Sequence, residues 1–220
     1  MVSLTTQGPV VTLHLGDDEN RFSPTWIDSV NDHLDQVISS AEPAVLVTTA
    51  EGKFYSNGLD LDWLGQNVES YAAYVESVQS LFARVLTLPV PTVAAVNGHA
   101  FGAGAMLALA HDYRVMRSDR GYFCLPEVDI NIPFTPGMAA LIQGKLTPHA
   151  AIASMTTGRR FGAADAQELG LVDGSAELED LHETAAGLVT DLAGKDRPTL
   201  GTIKETMFAD VVAALRTSAA

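Results

Sequence analysis

The segment Leu125-Pro126-Glu127-Val128-Asp129-Ile130-Asn131-Ile132 places two carboxylates among apolar side chains. Apolar surroundings disfavour the charged form of a carboxylate and raise its pKa. A glutamate starts near ~4.3, so an upward shift makes it a usable general base around neutrality. Glu127 and Asp129 share one side if the segment is extended and diverge if it is helical. The plainer alternative is a pair of solvated acids at a loop edge.

Two glycine-bearing loops are the other candidates. The first reads Gly52-Lys53-Phe54-Tyr55-Ser56-Asn57-Gly58-Leu59-Asp60-Leu61, and Gly58 allows a positive φ and a sharp turn. It is also compatible with an ordinary strand-to-helix turn built on Asn57-Gly58. The second reads Asn97-Gly98-His99-Ala100-Phe101-Gly102-Ala103-Gly104-Ala105 and opens an apolar helical pattern. The first amides of a helix lack intrahelical acceptors and sit at its positive end. A dinucleotide fingerprint fails, because Leu107 stands where its third glycine belongs, and no Walker lysine follows. What remains is a site for one developing negative charge. Two such loops could offer two N–H donors to one oxygen, as a thioester carbonyl requires when it becomes an enolate.

Strands and helices must position these groups. Val10–Leu15 alternates apolar and polar residues and reads as a strand. Ser23-Pro24 reads as an N-cap followed by proline at the first helical position, opening a helix to about Ser39. Ala44–Thr48 and Thr92–Val96 read as buried strands and Tyr113–Arg117 as a third. Glu51–Asp60 reads as a loop. Glu69–Leu88 reads as one long helix ended by Pro89 and Pro91, and Gly102–Ala110 as a second helix. Helical patterns dominate from Pro136 onward, and the last forty residues are expected to pack on a neighbouring subunit. Strands alternating with helices give an α/β domain.

Composition removes whole classes of partner. The 220-residue chain has a formal net charge of −14, which argues against nucleic acid and anionic membrane surfaces. Cys124 is the single cysteine, so no internal disulfide forms, which fits a reducing compartment. The N-terminus lacks the basic and apolar regions of a signal peptide, and a cytoplasmic protein is expected. The uncharged stretch from Val90 to Ala110 is interrupted by Pro91, Asn97, Gly98, His99, Gly102 and Gly104, so a buried strand, turn and helix fit it better than a membrane span. The six histidines show no His-Glu-x-x-His spacing, and no catalytic metal is expected. His99 reads as a core or turn histidine bonded to backbone, and Cys124 as a small buried hydrophobe. Asp60 reads as a loop-fixing side chain.

The segments Phe54 to Leu61, Pro91 to Asp112, and Pro126-Glu127 through Ile132-Pro133, taken together, resemble the crotonase (enoyl-CoA hydratase/isomerase) superfamily. Ser56-Asn57-Gly58-Leu59-Asp60-Leu61 and His111-Asp112-Tyr113 look most like its Δ3,Δ2-enoyl-CoA isomerases. The resemblance implies an α/β fold of the crotonase-like ββα spiral type with a C-terminal helical segment. Residues 1–190 would form the core domain and 191–220 a short helical tail of the same domain. It implies an acyl-CoA thioester substrate, no cofactor beyond the coenzyme A the substrate carries, and a homotrimer or dimer of trimers. Carried over by position, the oxyanion hole would be the backbone N–H groups of Leu59 and Ala103, and the base would be Glu127. Substrate contacts are expected from Lys53, Phe54, Ser56, Asn57, Gly58, Trp63 and Phe134, with Lys53 near a phosphate. A basic residue from the tail, Lys195, Arg197 or Lys204, is expected to reach across a subunit interface.

One departure shapes the expected chemistry. Hydratases of this family use two glutamates, and Met106 stands at the position of the first. A single base fits proton transfer from C2 to C4 of a 3-enoyl-CoA better than hydration. Three alternatives stay open: hydration with Asp129 holding the water, a serine hydrolase using Ser56, His99 and an aspartate, and a non-catalytic acyl-CoA binder or scaffold.

Overall fold

The computed structural model describes residues 1–217. Nine strands and ten α-helices follow one another among these residues. Strands β1 (Ser3–Gln7), β2 (Val10–His14) and β3 (Val45–Thr49) begin the main sheet, and β4 (Phe54–Ser56) leaves it. Strands β5 (Thr92–Val96), β6 (His99–Phe101), β7 (Tyr113–Arg117), β8 (Phe123–Cys124) and β9 (Gly174–Ala176) follow. The main sheet has the order β1-β2-β3-β5-β7-β9, and a smaller sheet has the order β4-β6-β8. Only the β1–β2 pair is antiparallel among these ladders.

The helices are α1 (Pro24–Ser39), α2 (Leu61–Gln66), α3 (Tyr71–Leu86), α4 (Ala103–Ala110) and α5 (Pro136–Lys145), then α6 (Pro148–Met155), α7 (Ala163–Leu169), α8 (Leu178–Gly187), α9 (Arg197–Met207) and α10 (Ala209–Leu215). Ser23 caps α1 by accepting the Trp26 N–H at 3.2 Å, with Pro24 just behind it. Thr135-Pro136 and Thr147-Pro148 open α5 and α6 in the same way.

The central strands are buried on both faces, as parallel strands covered by helices must be. Their alternation sends Val45, Val47, Val93, Ala95 and Val115 to one side, where Leu181, Ala185 and Ala186 of α8 cover them. Leu46, Ala94, Val96 and Met116 point the other way, into the large core shared with α1, α3 and α4. Every residue of α4 is buried, which accounts for its uninterrupted apolar sequence. No helix among the described residues is long and apolar enough to cross a membrane.

The structure differs from the sequence expectations in several places. The loop Glu51–Asp60 contains β4, which pairs with β6. The helix expected from Glu69 opens as a 3-10 turn over Val68–Ser70, and α3 proper starts at Tyr71. Strand β9 interrupts the helical C-terminal half. The tail helix α10 packs on α3 and α5 of its own chain. Gln79 Nε2 donates to Leu215 O at 3.2 Å, and Thr135 Oγ1 donates to Gln79 Oε1 at 2.5 Å, so a buried amide ties the three helices together.

Candidate active site

The first loop is pinned at almost every backbone group. Phe22 N–H donates to Gly58 O at 2.9 Å, and Asn57 N–H donates to Glu19 O at 2.8 Å. Ser56 Oγ donates to Asn20 O at 2.7 Å and accepts the Gly58 N–H at 3.1 Å. Asp60 N–H donates to the Tyr74 hydroxyl at 2.8 Å, while Asp60 Oδ1 caps α2 by accepting the Trp63 N–H at 3.0 Å. Between these anchors, the Leu59 N–H donates to no acceptor among the described residues.

The second loop ends in Gly102, at φ +51°, and Ala103 is the first residue of α4. Gly102 N–H donates to Cys124 O at 3.0 Å, but the Ala103 N–H likewise has no acceptor among the described residues. The two loops meet backbone to backbone. A Cβ on Gly58 would lie 2.7 Å from Phe101 O and 3.0 Å from Ala103 N, and one on Gly104 would run into Ser56 O. Glycine at both positions is therefore a condition of the approach.

Glu127 completes the arrangement. Segment 125–132 is turned, not extended: the Asp129 and Ile130 N–H groups both donate to Pro126 O, at 2.9 and 3.1 Å. The turn separates the two acids, leaving Glu127 buried at 9 % exposure and Asp129 exposed. Glu127 Oε1 would lie 3.3 Å from a Cβ on Gly102, and Oε2 is buried with no hydrogen-bond partner among the described residues. Burial pushes the carboxyl up to about 7, against a smaller pull downward from its own backbone N–H.

These groups line one cavity of about 300 Å³. Leu59, Gly102, Ala103 and Glu127 form its reactive side, and Leu61, Phe101, Pro126, Ile130 and Ile132 give apolar walls. Arg21, Asn57 and Arg160 stand among the lining groups. Arg21 is neutralised by Glu19 at 2.5 Å and Asp62 at 2.7 Å. Arg160 lies over the Phe101 ring, 5.6 Å from its centroid.

Of the residues expected to touch substrate, the cavity takes in Asn57 but not Lys53, Phe54, Ser56, Gly58, Trp63 or Phe134. Ser56 is fully buried and Gly58 lies beneath the contact of the two loops. Lys53 lies over the Phe54 ring at 5.1 Å, and Trp63 packs on Tyr74 at 5.2 Å. Phe134 packs against the core. His99 differs from its expectation: it sits among Phe54, Phe101 and Tyr122, and its Nδ1 has no partner among the described residues. The Ser56 hydroxyl is committed to Asn20 O and Gly58 N–H, so no Ser–His pair forms. Cys124 is buried, and burial pushes its thiol up to about 11. Of the tail cations, Lys204 is buried against Asp112, and Arg197 donates to Ser40 O at 2.6 Å and Val37 O at 3.1 Å.

Ile130 and Ile132 were visible in the sequence only as apolar neighbours of Glu127. Arg160 carried no local signal. It reaches the cavity because Phe161 and Phe123 exchange two backbone hydrogen bonds of 2.9 Å, delivering a distant segment to β8.

Comparison with known proteins places this geometry. The enoyl-CoA hydratase/isomerase family pattern matches residues 7–220. Enoyl-CoA delta isomerase 3 of Arabidopsis thaliana is 39% identical over 196 residues, covering 86% of this chain and 80% of that protein. The peroxisomal enoyl-CoA delta isomerase 1 of the same plant is 35% identical, covering 96% of this chain and 91% of that protein. A crystal structure of an enoyl-CoA hydratase/isomerase family protein from Pseudomonas syringae superposes with a TM-score of 0.91 at 26% identity, over 97% of this chain and 93% of that one. A buried lone carboxyl, two free amides and these matches over nearly the full length agree, and the chain belongs to the enoyl-CoA hydratase/isomerase family, with its crotonase-like α/β fold.

Proposed function

We propose that this enzyme shifts the double bond of a 3-enoyl-CoA into conjugation, giving the 2-enoyl-CoA, with Glu127 as its only base. The observation that carries the reading is Glu127 Oε2, buried without a partner in the cavity that also holds the free Leu59 and Ala103 amides. Glu127 removes a proton from C2, and the electron pair spreads onto the thioester oxygen as a dienolate. The Leu59 and Ala103 N–H groups stabilise that oxygen, and losing one such donor raises a barrier by about 2.7–4 kcal/mol. The protonated Glu127 then returns the proton at C4. No redox cofactor or metal enters the step, and coenzyme A is part of the substrate. The isomerase names of the two Arabidopsis relatives support the same reading.

Hydration finds less support. Met106 is 1 % exposed inside α4, and Asp129 is exposed outside the cavity lining, so neither offers a second carboxylate to hold a water there. The proposed assembly is a homotrimer or a dimer of trimers, tested by light scattering. The chemical test is a parallel assay of 3-enoyl-CoA and 2-enoyl-CoA with wild type and Glu127→Gln. The proposal requires 3-enoyl turnover that the variant loses. Rapid hydration of 2-enoyl-CoA without 3-enoyl turnover overturns it. The pH profile adds a second condition: with a base near pKa 7, kcat/KM falls about tenfold per pH unit below 7 and levels off above 8.

A further inference from the structure

A second cavity, of about 510 Å³, opens between α9 and the starts of β5 and β7, and shares no lining residue with the Glu127 cavity. Small-molecule sites commonly fall between roughly 300 and 1,000 Å³. Leu192, Leu200, Ile203, Met207 and Phe208 make its walls mostly apolar. Ile203 and Met207 are 55% and 71% exposed in the single chain.

Its floor holds an unbalanced set of charges. In the lining, Lys204 pairs with Asp112 at 2.6 Å while donating to Val90 O at 2.9 Å; Arg114, outside the lining, pairs with Asp173 at 3.0 Å. Asp112 is further engaged by the Thr92 N–H at 2.8 Å. Lys145, at the end of α5, has no carboxylate partner among the described residues; it donates to His111 O at 2.8 Å and lies 5.2 Å from the centre of the Phe208 ring. His111 adds no charge at neutral pH, because burial holds its imidazole down at about 4. Buried and half-buried charges are normally matched. The lining itself carries Lys145, Lys195 and Lys204 against Asp112 and Asp196, one cation in excess; Lys195 and Asp196 are exposed, and Lys145 is the half-buried ammonium that no carboxylate matches among the described residues.

We propose that this cavity is a second binding site, for an aliphatic monocarboxylate of the free fatty acid class, with its carboxylate on Lys145 Nζ and its chain along Leu200, Ile203 and Met207. One carboxylate neutralises the floor, and one alkyl chain covers this face of α9. The inference is independent of the reaction assigned to Glu127.

Calorimetric titration of the intact protein with decanoate, decanol and decyltrimethylammonium tests it. Decanoate is expected to bind saturably, decanol about tenfold more weakly or worse, and the ammonium not at all. Lys145→Met, which keeps the stem and removes the charge, should weaken decanoate about tenfold or more. Ile203→Glu and Met207→Glu change exposed positions, leave the fold intact, and should abolish binding even if Lys145→Met does not fold. Glu127→Gln should bind decanoate as wild type does. Equal affinity for decanoate and decanol, unchanged binding in the α9 variants, or displacement of decanoate by an acyl-CoA overturns the proposal.

Discussion

Replacing Glu127 by glutamine should stabilise the protein at pH 8 while abolishing turnover. The carboxyl is displaced from 4.5 to about 7 by burial. A displaced pKa is a difference in proton binding between folded and unfolded chains. The folded chain holds this proton more tightly, so Glu127 contributes nothing adverse below pH 4.5. Stability is then lost as pH rises through the window from 4.5 to about 7, and the full penalty persists above it. At about 1.4 kcal/mol per tenfold change in ionisation, the penalty at pH 8 is about 3 kcal/mol. Glutamine has the same shape and no charge at any pH, so the variant escapes it. Its amide introduces a desolvation cost of its own, but that cost does not depend on pH. The quantity to measure is therefore the stability of Glu127→Gln minus that of wild type, by urea unfolding at several values between pH 4.5 and 8. The difference should grow by about 3 kcal/mol across the window, or about 6–12 °C in Tm for a chain of this size. A difference that stays flat shows that Glu127 titrates as an ordinary carboxylate and removes the argument for it as a base poised at neutrality.

Gly58→Ala places a methyl 2.7 Å from Phe101 O at φ +82°, so the two amide-bearing loops must separate; kcat should drop about 100-fold or more in a 3-enoyl-CoA assay. Arg160→Ala should raise KM by up to about tenfold with kcat unchanged, whereas Lys53→Ala should leave both unchanged, because only Arg160 lines the cavity. The −14 charge repels a polyanionic coenzyme A, so KM should hold or fall as ionic strength rises from about 0.01 M to about 0.15 M, measured by initial rates. Tyr55→Phe removes a hydroxyl 2.7 Å from Thr48 Oγ1, which also meets His111 Nε2 at 3.0 Å; unfolding free energy should fall by about 1–3 kcal/mol.

Legibility in the sequence followed the range of the forces involved. Ser23-Pro24 announced α1 because a cap and a proline act within one turn. Strand β5 announced itself because burial on both faces demands five apolar or compact residues in a row. Strands β4, β6 and β8 left no such trace, since two or three residues are too few to display a period and their pairing depends on segments far apart in the chain. The site divides along the same line. Gly58, Gly102 and the apolar company of Glu127 are local features. The separation of Glu127 from Asp129 depends on a turn closed at Pro126 O, and the arrival of Arg160 on a bridge between Phe161 and Phe123. Trp63 and Phe134 are partly buried against the core, and apolar bulk alone does not tell a core position from a cavity wall in the sequence.

The contact of Gly58 with Phe101 O and Ala103 N, and of Gly104 with Ser56 O, lies between main chains with no side chain interposed. The spacing of the two free amides is thus set by peptide geometry, while the apolar walls at Leu61, Ile130 and Ile132 are set by side chains. Those two properties can vary separately. A library randomised at the three wall positions should contain many members with new chain-length preferences and undiminished rate on their preferred substrate, and selection on such a scaffold can explore substrates without re-solving the problem of holding an enolate.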